Sequence, residues 1–293
     1  MKRLFTLAAG ALAFLFNFTS KAQTNTTDNK SLLWRISGKH LSKPSYLFGT
    51  MHKICKDDYI WTDAMKTSLE KSEKICLEMD MDDPTVMMAI AGGLIDKSGK
   101  QLKDYFTPEQ YKLVSQYLKD SLELDIAMFQ QMKPIMLQTV MGLSEVSCKN
   151  AVSYEENIMK TAQETDKEIL GLEDPQEQLN VLESIPADSV INSVLEEVTG
   201  HKNPEGDDDY NKMIVAYKQQ DIPALYQYIT QSKSISDDMG EFLDVRNKKW
   251  IPRMATKMEK SSVFFAVGAG HLWGENGVIS LLRNDGYKVE MVK

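Results

Sequence analysis

Gly49-Thr50-Met51-His52 and Gly268-Ala269-Gly270-His271 each place a histidine three residues after a glycine. Each string follows an apolar, strand-like run, Ser45–Phe48 in the first case and Val263–Val267 in the second. With 16 glycines and 4 histidines in the chain, chance supplies roughly 0.2 such strings, so two in matching settings form a signal. A glycine lets the chain turn sharply off a strand, and the histidine is then presented at the strand's C-terminal end. In open α/β sheets that edge is where ligands bind. Two imidazoles from distant parts of the sequence could therefore converge on one site.

Histidines joined by carboxylates at strand ends make a metal-binding inventory, since neutral imidazole suits zinc, cobalt, iron or manganese and a carboxylate favours the harder ions. Glu78 is the first acid expected there, because it ends the strand that follows the first Gly-x-x-His. Glu173 is the second, at the end of Gly171-Leu172-Glu173 and just before the helix start Asp174-Pro175. A divalent ion with an open position activates water, and a nearby glutamate can shuttle its proton. Glu275, four residues after His271, could chelate with it on a helix or simply complement a helix dipole. The string Gly268-x-Gly270-x-x-x-Gly274 mimics a dinucleotide fingerprint, but too few residues follow it to build a nucleotide-binding half. No Gly-x-Ser-x-Gly, Walker A or His-Glu-x-x-His string occurs, which removes the serine-hydrolase, NTPase and zincin classes.

The elements that must position these residues are legible in outline. Leu32–Ile36 and Ser45–Phe48 predict a hairpin about the turn-rich stretch 37–44, in which His40 is an exposed polar residue. A helix over Trp61–Lys74 and a strand over Lys74–Asp80 follow. Thr107-Pro108-Glu109 opens a helix with a cap, an N1 proline and an acidic first turn. A helix over Ile126–Val146 carries Met128, Met132, Met136 and Met141, read as packing filler. Helices are expected over Ser153–Thr165, Pro175–Glu183 and Asp188–Val198, with a short buried strand at 168–172. Gly200–Asp209, containing His201, reads as the clearest break, its acidic run capping a helix over Tyr210–Gln220. Strand Val263–Val267, a helix over Gly277–Asn284 and strand Lys288–Val292 close the chain. The expected fold is thus a mixed α/β architecture: a central sheet from two strand–GxxH–helix–strand units, flanked by helices, with a large helical insertion between them.

Lys2 and Arg3, the apolar run Leu4–Phe16 and the small-x-small Ser20-Lys21-Ala22 read as a signal peptide over residues 1–22. Residues 23–30 read as a disordered leader and 31–293 as a single domain. The expectation is an exported protein, periplasmic or secreted, without a transmembrane segment, because the leading apolar run is short of the ~20 residues a span needs. Removing the leader takes the net charge from −8 to −11, which argues against nucleic acid and anionic membrane partners. Of three cysteines, Cys76 sits in an apolar run and is expected buried, while Cys55 and Cys148 look loop-proximal and are paired as a disulfide suited to an oxidising compartment.

The chain resembles the TraB/GumN family, related to the Tiki metalloproteases. The resemblance rests on Leu33-Trp34-Arg35-Ile36-Ser37, Ser45 through His52, Glu78, Gly171-Leu172-Glu173 with Glu177-Gln178, Arg246-Asn247, and Val267 through Leu272 with Gly286-Tyr287. It implies a sheet flanked by helices, similar also to erythromycin esterases and ChaN-like haem-binding proteins. It further implies a divalent metal (manganese, cobalt or zinc) on His52, His271 and Glu78, with Glu173 assisting proton transfer, Arg246 stabilising the oxyanion, and a peptide or protein as substrate. The alternative it leaves open is a haem- or metal-scavenging protein that uses the same histidines without turnover.

Overall fold

The structure, a computed structural model, describes residues 30–144, 148, 150–200, 204–231 and 239–293. The expected signal peptide, His201 and nearly all of the expected leader lie outside them. Lys30, at the end of that leader, is placed: it forms a bridge and an ion pair with Asp221.

The expected hairpin is present. β1 (Leu33–Ser37) pairs antiparallel with β2 (Ser45–Thr50), and the turn between them is carried by Gly38, Lys39 and His40, all with positive φ. β4 (Lys74–Met79), β6 (Ile169–Glu173), β7 (Val263–Gly268) and β8 (Lys288–Met291) complete a six-stranded sheet of order β6-β4-β7-β2-β1-β8. β2, β7, β4 and β6 are mutually parallel, so their C-terminal ends share one edge. A two-stranded ribbon of β3 (Ile54–Cys55) and β5 (Ala151–Val152) lies apart.

The two GxxH units interlock. From β2 the chain passes through α1 (Asp63–Lys71) and steps over β7 to reach β4. From β7 it passes through α11 (Val278–Asn284) and steps over β2 and β1 the opposite way to reach β8. Connections therefore diverge between β2 and β7, and such a switch point opens a crevice at the strands' C-terminal ends. Both GxxH strings begin there, in register: Gly49 pairs with Val267 and Thr50 with Gly268.

The leading glycines do not serve the sharp turn that their position suggests. Gly49 lies within β2, and Gly268 has φ −51°, open to any residue. What Gly49 supplies is close approach: a Cβ there would lie 2.6 Å from Leu272 Cδ1 and 3.2 Å from the Ala269 Cα. The absent side chain lets the turn after β7 pack directly on β2.

Helices make up the rest. α2 (Pro84–Gly93), α3 (Pro108–Leu122), α4 (Ile135–Ser144) and α5 (Tyr154–Glu164) lie between β4 and β6. α6 (Pro175–Ser184), α7 (Ala187–Thr199), α8 (Pro204–Lys218), α9 (Ile222–Gln231) and α10 (Met239–Lys260) lie between β6 and β7. β6 thus divides the helical middle, returning to the sheet halfway. The main core gathers strand residues such as Phe48, Ile75, Phe264 and Phe265 with Tyr154, Tyr217 and Trp250 from the helices. A second cluster, including Leu102, Val114, Leu118, Phe129, Leu137 and Val194, lies under α3, α4 and α7.

Three expectations shift. The run from Ile126 is not one helix: Ile126–Phe129 forms a 3₁₀ turn, and α4 starts only after Pro134, whose ring excludes the helical conformation from Lys133. The four methionines consequently share no face; Met141 is buried whereas Met128 is exposed. α7 ends at Gly200 in the left-handed region, but the next helix begins at Pro204 and takes in Asp207–Asp209, where a loop was expected. Glu275 lies in the turn before α11 and is exposed, away from any helix shared with His271.

Cys55 and Cys148 form the expected disulfide, with Cα atoms 5.8 Å apart, and Cys76 is free and buried. Among the described residues no helix is long and apolar enough to cross a membrane. Gly49→Ala is expected to lower unfolding free energy by about 1–3 kcal/mol through overpacking against Ala269 and Leu272. Denaturant titration of the variant measures it; unchanged stability would mean the two turns can separate freely.

Candidate functional site

Four side chains from four elements meet at the shared sheet edge. Glu78 comes from β4, Glu173 from the end of β6, His271 from the 3₁₀ turn Ala269–His271 after β7, and Arg246 from α10. α10 presents Arg246, Trp250 and Arg253 at spacing i, i+4, i+7, one helical face, and that face covers β6. Arg246 Nε donates to Glu173 Oε1 at 2.9 Å, and Nη2 donates to Glu173 Oε2 at 2.9 Å and to Glu78 Oε2 at 2.6 Å. Trp250 Nε1 donates to Glu173 Oε1 at 2.8 Å. Arg253 donates to the Leu172 carbonyl and to Glu177, closing the strand end from below.

His271 is almost fully buried, and its tautomer follows from its neighbours. Asn247 Nδ2 donates to the carbonyls of His271 and Asn276, which turns Asn247 Oδ1 toward His271 Nδ1 at 2.7 Å. Oδ1 only accepts, so Nδ1 carries the proton and Nε2 keeps its lone pair. Nε2 accepts from Arg246 Nη1 at 3.1 Å and lies 3.9 Å from Glu78 Oε1. Trp250 packs on the ring with centroids 4.3 Å apart. Burial drives His271 down to about 3, against the pull of Glu78, and Arg246 and His52 push it further down, so it is neutral at ordinary pH. Burial works to raise the Glu78 carboxyl, but His271 when protonated, Arg246, His52 and the Gly268 N–H hold it at about 2. Gln178 Nε2, from α6, reaches Glu78 Oε2 at 3.4 Å.

His52 stands apart from this buried cluster. Its side chain is 68% exposed, and its Nδ1 lies 3.1 Å from Glu155 Oε1. Glu155 also accepts from Thr50 Oγ1 and Ser153 Oγ. The hydrogen bond to Glu155 raises His52 to about 9, and water at the exposed rim screens part of that pull. Among the described residues no group of three or more His, Cys, Asp or Glu is gathered closely enough to hold a metal ion. The geometry therefore brings Glu78, Glu173, Arg246 and His271 together and leaves His52 beside them with its own carboxylate.

Glu155, Asn247 and Trp250 were given no role by sequence reasoning. Trp250 was within reach of it, because its spacing from Arg246 puts both on one helix face. Glu155 was signalled less directly. Cys55 lies three residues after His52 and Cys148 seven before Glu155, so the pairing of those cysteines already brings the two segments together.

Comparison with known proteins gives the chain a family. The TraB/PrgY/gumN family model matches residues 32–291. The chain belongs to that family. Among curated relatives, it is 20% identical to metalloprotease TIKI2 of Danio rerio over 90% of its length, 21% to metalloprotease TIKI1 of Danio rerio over 92%, and 23% to metalloprotease TIKI1 of Homo sapiens over 89%. It spans only 61%, 65% and 61% of those relatives' own lengths. No solved structure matches this chain. The family match runs unbroken from β1 to β8, so all the elements that carry the cluster fall inside it.

Arg246→Met leaves two buried carboxylates without their cation and should cost about 3–5 kcal/mol at pH 7. The sign with pH is fixed by Glu78. In the parent its depressed carboxyl contributes stability above about 4.5 that is lost as pH falls toward 2. In the variant the guanidinium no longer offsets burial, and protonation relieves the penalty. The gap between parent and variant should therefore be widest near neutrality and narrow below pH 4.5, as read by denaturant titration at several pH values. A gap independent of pH would contradict the charge assignment.

Proposed function

We propose that the chain is an exported, metal-assisted hydrolase of peptide bonds, acting at the edge where the two GxxH strings meet. The observation that carries this is His271 Nε2, kept unprotonated by Asn247 and aimed into a cluster with Glu78 Oε1 3.9 Å away. That donor pair, a neutral imidazole and an ionised carboxylate, suits a divalent ion such as manganese, cobalt or zinc. His271 and Glu78 would hold it once Arg246 Nη1 gives up the His271 Nε2 lone pair, with Arg246 Nε and Nη2 staying on Glu173. An ion there would supply Lewis acidity for the hydrolysis. The metalloprotease names of the relatives support the same reading.

The remaining work falls to the chain's own groups. Arg246 keeps a fixed positive charge beside the reacting carbonyl and stabilises the developing oxyanion. Glu173 accepts from Arg246 and Trp250 through both oxygens, which supports an anchoring role for it over proton transfer. Proton transfer fits His52 better. Its ring is open to solvent, and Glu155 on Nδ1 keeps it protonated, leaving Nε2–H to protonate the leaving nitrogen. The haem form of the scavenging alternative gains less support, because His271 is almost fully buried and its Nε2 faces Arg246 and Glu78, which leaves a macrocycle no access to it.

Two outcomes test the reading. Purified mature protein should cleave unstructured peptides in a chelator-sensitive way, and His271→Ala should lose both metal and cleavage; metal retained by that variant would contradict it. For the acid, activity should hold below about pH 9 and fall as pH rises through that value, since the protonated form is the active one. Glu155→Gln should move that falling limb toward the ordinary histidine range near 6.5. An unshifted limb would remove His52 from proton transfer.

A further inference from the structure

α2 is the most apolar helix beside the site, and it buries none of its residues. Its sequence, Pro84-Thr85-Val86-Met87-Met88-Ala89-Ile90-Ala91-Gly92-Gly93, would suit a core element, yet Met88 is 75% exposed and Met87 45%. Isolated exposed apolar residues need no explanation, but a run of them on a helix that follows a site strand does. α2 follows β4, the strand of Glu78, and it packs against α6, which starts two residues after Glu173. The contact is close: a Cβ on Gly93 would lie 2.1 Å from Leu179 Cδ1. Between the two helices runs a groove of about 540 Å³, with Met88, Ala89, Gly92 and Ile95 on one wall and Pro175 and Leu179 on the other. A Cβ on Gly92 would meet nothing within 4 Å, so this glycine leaves the groove floor open.

Resting on the hydrolase reading above, we propose that this groove receives a large apolar side chain of the substrate peptide next to the scissile bond, making the chain selective for apolar segments. Continuity with the site argues for that occupant. Asp174 and Pro175, the two residues that follow Glu173, line the groove, and α6 sends Gln178 to Glu78 one residue before the groove-lining Leu179, so the groove starts where β6 delivers Glu173 to the cluster. Lys97 and Asp174 at the lining carry opposite charges. The volume falls in the range of small-ligand sites. Methionine side chains are unbranched and polarisable, and they adapt to leucine, methionine or phenylalanine alike.

The test uses the full chain labelled with ¹³C at methionine methyls and two acetylated hexapeptides, Gly-Ser-Leu-Met-Ser-Gly and the same peptide with Ser-Asn in place of Leu-Met. The Met88 methyl signal should move with the first peptide, which should bind about tenfold or more tightly than the second. Gly92→Leu, which fills the open floor, should lose that preference, and Met88→Glu should weaken binding of the apolar peptide by a similar factor. Cleavage is followed in the same samples. Apolar-selective binding without cleavage supports the groove and overturns the hydrolase reading. Cleavage of both peptides alike, or methyl signals unmoved by either, overturns the groove. Methyl signals that respond to phosphatidylcholine vesicles and not to peptide overturn it in favour of a membrane contact.

Discussion

A single guanidinium holds the candidate site together. Arg246 joins Glu78 on β4, Glu173 on β6 and His271 after β7, so three elements distant in sequence depend on one residue of α10. Burying two carboxylates in that setting is costly unless a cation and further donors satisfy them. Trp250, Gln178 and the Gly268 N–H supply those donors. The result is a polar cluster inside an otherwise apolar core, with each carboxylate held by more than one donor. Such preorganisation is what stabilises developing charge without reorganisation.

Around this rigid half the site has a more open one. His52 and Glu155 lie toward solvent, on segments joined by the Cys55–Cys148 disulfide and by the short β3–β5 ribbon. The disulfide closes a loop of 93 residues that contains α1 through α4, and it brings the start of α5 to the end of β2. The buried and exposed histidines thus face opposite demands. His271 is held neutral by burial, whereas His52 is held protonated by a carboxylate. Environments that push two like groups apart in pKa are how one site separates a ligand or base from an acid.

Much of this was legible in the residues because it follows from local rules. The hairpin, the strand ends carrying Glu78 and Glu173, the capped helix at Pro108 and the paired cysteines all follow from turn chemistry, alternation and spacing. The shared edge of the GxxH strings was legible too, since parallel strands must end on the same side. Other features depend on packing between distant segments and could not be read locally. Gly49 is required by the approach of Ala269 across the sheet, not by its own dihedrals. His52 pairs with Glu155 although 103 residues separate them. Pro134 did announce a break in the methionine-bearing run, but the apolar periodicity on both sides of it concealed the signal.

The central claim is that His271 and Glu78 form a metal-binding pair at the crossing of the two GxxH turns. Anomalous diffraction at the cobalt or manganese edge, from crystals grown with that ion, tests it most directly. The account predicts a peak about 2.1 Å from His271 Nε2, with Glu78 as a second ligand. A peak confined to surface carboxylates, with Arg246 still bridging Glu78 and His271, would contradict it.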